Sequence, residues 1–222
     1  MSDFNLEQVW DDIFRNNEWG KYPSEDLIRF VARNFYSYEN RKLIKILEVG
    51  SGTGANLWFI AREGFGCFGI EGSDVGVNRC IARLNNEVPN WEGEVVQGDF
   101  KHISFEDDFF DAVIDNEAIY CNSFEDSQAV YDEIYRVLKP KGKLYTRTFS
   151  TETTGYASGE ALDYQRFIPT TGPLQDRGPA RFSTAQDLEK LLGRFTLIEL
   201  DCLKRGFGDS DVVSELIAIA QK

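Results

Sequence analysis

Apolar residues follow a helical period over the first forty positions of this chain. Two groups of apolar side chains, separated by Pro23, each fall on one helical face. These are Leu6, Val9, Trp10, Ile13 and Phe14, followed by Leu27, Ile28, Val31, Ala32 and Phe35. Ser24 precedes the second group and is its predicted N-cap. Residues 1–41 are therefore predicted to form two amphipathic helices.

From about residue 42 the pattern changes to short apolar strands that alternate with helices. Strands are predicted at about 43–49, 66–70, 93–97, 110–115 and 142–149. Helical segments are predicted near 54–63, 74–85 and 126–138. This alternation predicts an α/β fold whose mostly parallel sheet is covered by helices on both faces.

Residues 183–222 predict one more helix and a closing pair of strands. The helix covers about 184–192, with Thr184 as its N-cap. Two apolar segments follow, FTLIELDCLKR and VVSELIAIAQK, and a short turn at Gly208, Asp209 and Ser210 joins them. We expect the two segments to pair antiparallel and to complete the sheet.

Residues 150–182 are rich in glycine, threonine and proline and are longer than an ordinary connection. Tyrosine, phenylalanine and arginine side chains are distributed through this stretch, which favours an ordered segment over a disordered one. We therefore expect residues 150–182 to form a lid over a binding site.

Composition narrows the function classes. The chain has 222 residues, which suits a single domain, and 37 Asp and Glu against 24 Lys and Arg give a formal charge of −13. This charge repels phosphate backbones, so we do not expect a nucleic-acid partner. The sequence has neither a membrane-length apolar run nor a secretory signal, which predicts a cytoplasmic protein without a membrane partner. Four scattered cysteines and a single histidine predict no metal site.

The segment ILEVGSGTGAN at 46–56 carries the strongest chemical signal. A buried strand ends in a turn with three glycines on alternate positions, where bare backbone can approach a nucleoside closely. Acidic side chains stand at the ends of four predicted strands: Glu48, Glu71, Asp99 and Asp115, the last followed by Asn116. Ligands of open α/β sheets bind at these strand ends. One acid there can hold a pair of ribose hydroxyls, and another can hold an exocyclic amine.

Five motifs in order resemble those of the class I S-adenosylmethionine-dependent methyltransferases, over nearly the whole chain from about Ile44 onward. They are ILEVGSGTG, FGIEGS, QGDF, FFDAVIDNEAIY and AVYDEIYRVLKPKGKLY. The resemblance implies S-adenosylmethionine as cofactor and a Rossmann-like, seven-stranded, mostly parallel sheet with an antiparallel closing strand and an N-terminal helical cap. It divides the chain into this cap at 1–41, a cofactor-binding core at 42–149, the lid at 150–182 and the closing elements at 183–222.

By the same resemblance, each part of the cofactor has predicted partners. The methionine end would meet Glu48, Gly50, Ser51, Gly52, Gly54 and Asn56. Glu71 would bind both ribose hydroxyls, and the adenine would lie against Gly72, Ser73, Asp99 and Phe100. Asn116 would offer a carbonyl to the methionine ammonium, with Ala118 and Ile119 near the sulfonium. Trp19 and Tyr22, in the segment WGKYP, would cover the sulfonium by cation–π contact.

The acceptor is less clearly indicated than the cofactor. Candidate substrate-binding residues are Tyr120, Arg147, Arg166 and Arg181. A hydroxyl acceptor needs a base, for which the candidates are Asp163, Glu152 and His102. The segment DNEAIY lacks the Asn-Pro-Pro-Tyr motif of base N-methylation, which favours a small-molecule acceptor. RTF at 147–149 and the glycine-rich stretch after it resemble enzymes of bacterial surface-sugar pathways, which suggests a sugar or sugar-nucleotide intermediate.

Two other functions fit part of the pattern. Gly50, Gly52 and Ala55 also satisfy the dinucleotide motif, with Glu71 at the spacing of a nicotinamide ribose partner, so an NAD(P)-dependent oxidoreductase is an alternative. A non-catalytic module that binds the cofactor and regulates a partner through the acidic surface is the other.

Overall fold

The computed structural model describes residues 5–206 and 211–222, and the predicted turn at Gly208, Asp209 and Ser210 lies outside them. The helices are α1 (Leu6–Asn16), α2 (Glu25–Phe35), α3 (Ala55–Arg62), α4 (Asp74–Glu87), α5 (Phe124–Val137) and α6 (Ala185–Leu191). The strands are β1 (Lys45–Val49), β2 (Gly66–Glu71), β3 (Gly93–Gln97), β4 (Phe110–Asn116), β5 (Leu138–Phe149), β6 (Glu160–Asp163), β7 (Arg166–Ile168), β8 (Ala180–Arg181), β9 (Thr196–Arg205) and β10 (Val213–Gln221).

Seven of these strands form one sheet in the order β3-β2-β1-β4-β5-β10-β9. The first five run parallel, whereas β10 pairs antiparallel with both β5 and β9. The predicted Rossmann-like sheet with an antiparallel closing strand is therefore confirmed. The order of the strands along the chain reverses between β1 and β4. From β1 the chain continues to β2 and β3 on one side of the sheet, and it then crosses to β4 and β5 on the other side. Such a reversal opens a crevice at the carboxyl ends of the strands.

Two apolar clusters cover the two faces of this sheet. One packs α2, α3 and α4 against β1, β2 and β4, and the other packs α5 and α6 against the opposite face. The predicted helix caps are present, because the Ser24 hydroxyl accepts from the Leu27 amide and Thr184 forms a capping box with Asp187. None of the helices in the described parts of the chain is both long and apolar enough to cross a membrane.

Residues 150–182 contain secondary structure that their composition does not suggest. β6, β7 and β8 form a small antiparallel sheet, and Leu174, Ala180 and Phe182 bury a third apolar cluster with Tyr120 and Phe149. The glycines that make this stretch look like a loop in the sequence lie at turns of the backbone. Gly155, Gly159, Gly172 and Gly178 all have positive φ. The strands between them are only two to four residues long, too short for a periodic signal.

Helix α2 should contribute strongly to stability because its apolar face lies in the main core. Leu27 is fully buried there, while its neighbour Ile28 is 37% exposed. We expect Leu27→Ala to lower the free energy of unfolding by about 2 to 5 kcal/mol. Ile28→Ala is the matched control and should cost less than about 1 kcal/mol. Equilibrium urea unfolding measures both, and equal losses would show that α2 is not anchored as described.

Candidate active site

A cavity of about 690 Å³ opens at the carboxyl ends of β1, β2, β3 and β4, beneath α1 and the segment that joins α1 to α2. Small-molecule sites commonly have volumes of roughly 300 to 1,000 Å³. The cavity is therefore large enough for a nucleoside-sized ligand, and it lies where the chain order of the sheet reverses.

The glycine turn between β1 and α3 forms one wall of the cavity. Gly50, Gly52 and Gly54 have φ values of 66°, 51° and 83°, a region that other residues enter at a cost. A Cβ on Gly50 would collide with the Cβ of Ala118, so glycine lets this turn approach the turn after β4. The amides of Gly50 and Ser51 both donate to the Ile70 carbonyl, which fixes the turn against β2.

Glu71 connects the glycine turn to the end of β2. Its two carboxylate oxygens accept from the amides of Gly52 at 2.7 Å and Ser73 at 2.9 Å. Burial raises the pKa of Glu71, and these amide hydrogen bonds oppose the shift. The carboxylate is thus held in one orientation at the cavity wall, and each oxygen has capacity for a further hydrogen bond.

Glu48 presents an unpartnered oxygen at the same wall. Its Oε1 accepts from the Asn56 side-chain amide at 2.6 Å, whereas the buried Oε2 has no hydrogen-bond partner among residues 5–206 and 211–222. Burial raises the pKa of this carboxyl to about 8, although the Asn56 hydrogen bond favours ionisation. A ligand with a cationic donor would satisfy Oε2 and restore the charge.

The turn after β4 owes its shape to Asp115, which is almost fully buried. Its Oδ1 accepts from the amides of Ala118 at 3.0 Å and Ile119 at 3.1 Å, and its Oδ2 accepts from the hydroxyls of Thr146 and Tyr131. Asp115 therefore supports the turn instead of lining the cavity. Asn116 does line it, and its buried Oδ1 has no partner.

At the β3 end of the cavity, Asp99 and Phe100 lie on the wall, as the sequence predicts for the adenine site. The Asp99 carboxylate accepts from the Lys101 amide at 2.9 Å, and about half of its side chain is exposed. Asp99 thus caps its own turn and can also reach a ligand.

Aromatic side chains of the N-terminal segment close the cavity from above. Trp10, Phe14 and Trp19 pack on one another with ring centroids 5.4 to 5.7 Å apart. All three line the cavity, although the sequence pointed only to Trp19. The i, i+4 spacing of Trp10 and Phe14 was the available signal, but it is equally typical of core packing.

Helix α1 is attached to α4 by Arg79, which donates to the carbonyls of Arg15 and Asn17, and by the carboxylate of Asp11. Asp11 accepts from the Ser73 hydroxyl and, at 3.2 Å, from the Val75 amide, so it caps the N-terminus of α4.

Tyr22 also lines the cavity, but it is 72% exposed and packs edge-on against Trp58.

The far end of the cavity, toward β5, β10 and β9, contains a charged cluster of which the sequence identified only Arg147. Arg147 is buried, with its guanidinium 2.9 Å from a Glu117 carboxylate oxygen and 2.6 Å from Glu215. Arg205 lies 2.7 Å from the same Glu215 oxygen. Glu117, Arg147 and Arg205 line the cavity, and Glu215 lies behind them. No motif signals this cluster, because it forms from three strands whose register the sequence does not reveal.

Most of the predicted cofactor residues reach the cavity, and their role in binding stays a prediction. Those on its wall are Glu48, Gly50, Ser51, Gly52, Asn56, Glu71, Gly72, Ser73, Asp99, Phe100, Asn116, Ala118, Trp19 and Tyr22. Gly54 and Ile119 lie behind it. Gly54 packs against Cys80, where a Cβ would collide with the sulfur, and Ile119 is buried beneath the turn after β4.

Several predicted acceptor residues lie away from the cavity wall. Tyr120 packs edge-on against Phe149 in the third apolar cluster. Arg166 pairs with Asp163 and also donates to the Cys121 carbonyl. Arg181 is buried and donates to the hydroxyls of Ser183 and Ser127. The small sheet β6-β7-β8 directs both arginines into such internal partners, so residues 150–182 contribute no side chain to the cavity wall.

Two further candidate bases also lie outside the cavity. Glu152 forms a surface ion pair with Lys204, both side chains being more than half exposed. His102 follows the wall residue Lys101 but does not line the cavity itself. Neither side chain is placed to remove a proton from a ligand bound there.

Because the pKa of Glu48 is raised on folding, this residue should make stability depend on pH. Below the unfolded pKa the protonated carboxyl carries no penalty, and stability is lost as pH rises toward the folded pKa of about 8. The unfolding free energy should therefore fall between about pH 5 and 8, by up to roughly 1.4 kcal/mol per pH unit from this group. Glu48→Gln should flatten that slope in urea unfolding, whereas the exposed control Glu18→Gln should not. Identical slopes in all three proteins would contradict the buried state of Glu48.

Known proteins share both the central segment and the fold. Residues 47–146 match the family model described as a methyltransferase domain. A sterol 24-C-methyltransferase of Schizosaccharomyces pombe is 34% identical over 142 residues, 61% of this chain and 36% of the relative. The chain therefore matches only about a third of the length of that curated relative.

Two solved structures extend the likeness to the whole fold. An S-adenosylmethionine-dependent methyltransferase from Methanosarcina mazei superimposes with a TM-score of 0.72 at 19% identity, covering 86% of this chain and 96% of the other. Magnesium protoporphyrin IX methyltransferase from Synechocystis PCC 6803, with its cofactor bound, gives a TM-score of 0.68 at 12% identity, covering 100% and 99%.

The cavity residues fit S-adenosylmethionine on chemical grounds. The unpartnered Glu48 Oε2 and Asn116 Oδ1 are acceptors for an ammonium group, and Glu71 offers the two oxygens that a ribose diol requires. Acidic side chains predominate along this part of the wall, which favours a cofactor that carries a sulfonium charge. Residues 47–146 thus match a methyltransferase domain, and the fold of the chain is that of solved S-adenosylmethionine-dependent methyltransferases.

Proposed function

We propose that the protein transfers a methyl group from S-adenosylmethionine to a polar small molecule. The observation that carries this proposal is Glu48, a cavity-lining residue beside the glycine turn whose buried carboxyl has one oxygen without a hydrogen-bond partner among the described residues. Bringing such a group out of water is unfavourable unless a ligand satisfies it. The methionine ammonium of the cofactor would do so, which gives this arrangement a function.

In this proposal the chain's own groups bind and orient. Glu71 would hold the ribose hydroxyls, while the glycine turn lets the methionine part lie against bare backbone. Trp10, Phe14 and Trp19 would exclude water from above. Bound S-adenosylmethionine supplies an electrophilic methyl group on a sulfonium. Alignment of that methyl with an acceptor atom gives most of the expected acceleration, so few catalytic side chains are required.

The nature of the acceptor follows from the far end of the cavity. Ser24, Glu117, Asn122, Arg147 and Arg205 line this end, and a bare hydrocarbon there would remove these charged and polar groups from water without offering them a hydrogen bond. This favours a polar, hydroxyl-rich acceptor, for which a sugar or sugar-nucleotide intermediate is the finer proposal. A sterol acceptor, suggested by the name of the Schizosaccharomyces pombe relative, fits this lining less well.

A cytoplasmic site of action completes the proposal. All four cysteines are free, and Cys202 is exposed, a state that is maintained in a reducing compartment.

Calorimetric titration separates this function from the nicotinamide alternative. The protein should bind S-adenosylhomocysteine, the reaction product, and should not bind NAD. Binding of NAD without S-adenosylhomocysteine would refute the proposal and favour an oxidoreductase. Binding of S-adenosylhomocysteine without methyl transfer to any metabolite would favour a regulatory module.

The ribose assignment has a separate test at Glu71. Glu71→Ala should weaken S-adenosylhomocysteine binding by about 5- to 150-fold, which corresponds to about 1 to 3 kcal/mol of charge-assisted hydrogen bonding. Glu94→Ala, an exposed position on the adjacent strand β3, is the matched control and should leave affinity unchanged. Equal affinities for both variants would show that Glu71 does not hold the ribose. Thermal unfolding of each variant checks that the glycine turn survives.

A further inference from the structure

Glu117 stands at the point where the cavity turns from the cofactor end to the far end. It follows β4 directly and has a φ of 60°, which is uncommon for a residue other than glycine. Its amide donates to the Arg147 carbonyl at 3.0 Å, so the unusual backbone is held from β5. The side chain lines the cavity and is about a quarter exposed. This backbone conformation therefore presents a carboxyl group to the cavity.

Glu117 and Glu215 both contact the Arg147 guanidinium, so their carboxyl groups influence each other's ionisation. Burial, together with the neighbouring Glu215 carboxyl, raises the pKa of Glu117, and Arg147 opposes the rise. Burial disfavours ionisation of Glu215 as well, yet its hydrogen bond with Glu117 and its contacts with Arg147 and Arg205 hold its pKa below the usual value. The two carboxyls therefore titrate as a pair, and the ionised form of Glu117 is the form that can accept a proton.

The other groups at this end of the cavity are poor proton acceptors. The guanidinium groups of Arg147 and Arg205 remain charged, and burial raises the pKa of the Cys121 thiol to about 12. Ser24 and Asn122 do not ionise in the working range of an enzyme. Glu117 is therefore the wall residue at this end whose proton affinity suits transfer near neutral pH.

Resting on the proposed function, we propose that Glu117 is the general base of the reaction and that the acceptor is a neutral hydroxyl compound, methylated on oxygen. A carboxylate attacks without losing a proton, and a neutral amine loses its proton only after it has attacked, so neither requires a base during the methyl transfer itself. A hydroxyl must release its proton as it becomes an ether, and Glu117 is placed to receive it.

The step balances without a further reactant. A lone pair of the acceptor oxygen forms the new C–O bond, and the S–CH₃ bond breaks with its electron pair remaining on sulfur. The O–H proton passes to the Glu117 carboxylate, which later returns it to solvent. The sulfonium becomes a neutral thioether in the same step. Because this nearby positive charge is lost, the proton affinity of Glu117 rises as the acceptor oxygen releases its proton.

Charged and titratable groups from several elements face Glu117 and set its pH dependence. Arg147 comes from β5, Glu215 from β10 and Arg205 from β9, while Tyr120 lies on the same turn. Tyr145 on β5 neighbours Arg147, and burial raises its pKa to about 12. The tyrosines and arginines keep their protonation state from pH 6 to 9, so the titration in that range belongs to the carboxyl pair.

The test combines Glu117→Gln with isotopically methyl-labelled S-adenosylmethionine and a deproteinised, low-molecular-weight metabolite extract. Wild-type protein should place the label on an oxygen atom of a product, identified by mass spectrometry and NMR. With that product's precursor as acceptor, Glu117→Gln should lower kcat by roughly 10²- to 10⁴-fold. Its KM and its affinity for S-adenosylhomocysteine should stay within about twofold of wild type.

Two further variants separate a base from a structural residue. Glu117→Asp retains a carboxylate and should recover part of kcat with a rising pH profile, whereas Glu117→Gln should lose that profile. Glu25→Gln, on an exposed face of α2, is the matched control and should leave kcat unchanged. Equal kcat in wild type and Glu117→Gln would overturn the proposal, as would a labelled product methylated on nitrogen or carbon.

A measurement without turnover provides an independent readout. In protein labelled with ¹³C at glutamate Cδ and saturated with S-adenosylhomocysteine, the resonance lost in Glu117→Gln should titrate between about pH 6 and 9. A resonance that stays protonated or ionised throughout would refute the role of Glu117 even if methyl transfer occurs. If the wild type transfers no label at all, the proposed function itself fails, which is distinguishable from failure of the base alone.

Discussion

The paired hydrogen bonds of Glu71 are the interaction on which the rest of the site depends. By accepting from the amides of Gly52 and Ser73, this carboxylate joins the turn after β1 to the end of β2. Ser73 in turn donates to Asp11, through which α1 and its aromatic side chains are held over the cavity. A single buried acid thus links the cavity wall to its roof.

Buried acids at neighbouring strand ends divide into supporting and binding groups according to their partners. Asp115 accepts from four donors among the described residues, so both of its oxygens have partners and the turn after β4 is fixed. Glu48 has one donor and one unpartnered oxygen. Burial alone is common to both, and the unfilled acceptor capacity is what distinguishes a ligand group from a scaffold group. Under the proposed function, the ammonium of the cofactor would satisfy this remaining oxygen of Glu48.

The sequence predicted the sheet, its helices and most residues of the cavity wall because these depend on local signals. Periodicity defines the strands, and glycines at alternate positions followed by Glu71 identify the turn. The segment 150–182 was predicted less well, because strands as short as Ala180–Arg181 have no period and their pairing turns Arg166 and Arg181 toward internal partners. The cluster of Glu117, Arg147, Glu215 and Arg205 depends on the register among β5, β10 and β9, with Ile217 opposite Arg147 and Val213 opposite Arg205. A shift of one residue would turn these side chains to other faces, and nothing in the sequence alone sets that register.

The acidity of the cavity has a consequence for turnover under the proposed function. A methyl donor with a sulfonium charge is attracted to Glu48, Glu71 and Asp99, whereas the thioether product has lost that charge. The same wall therefore favours the donor over the product, and the difference arises from electrostatics without any change of shape. In the ligand-free protein these acids are destabilising when ionised, because burial disfavours the charged forms of Glu48 and Glu71. When Glu48 and Glu71 take up protons, they no longer bear the free-energy cost of a buried charge. Loss of the cationic ligand from the cavity is therefore coupled to protonation of these two carboxyls.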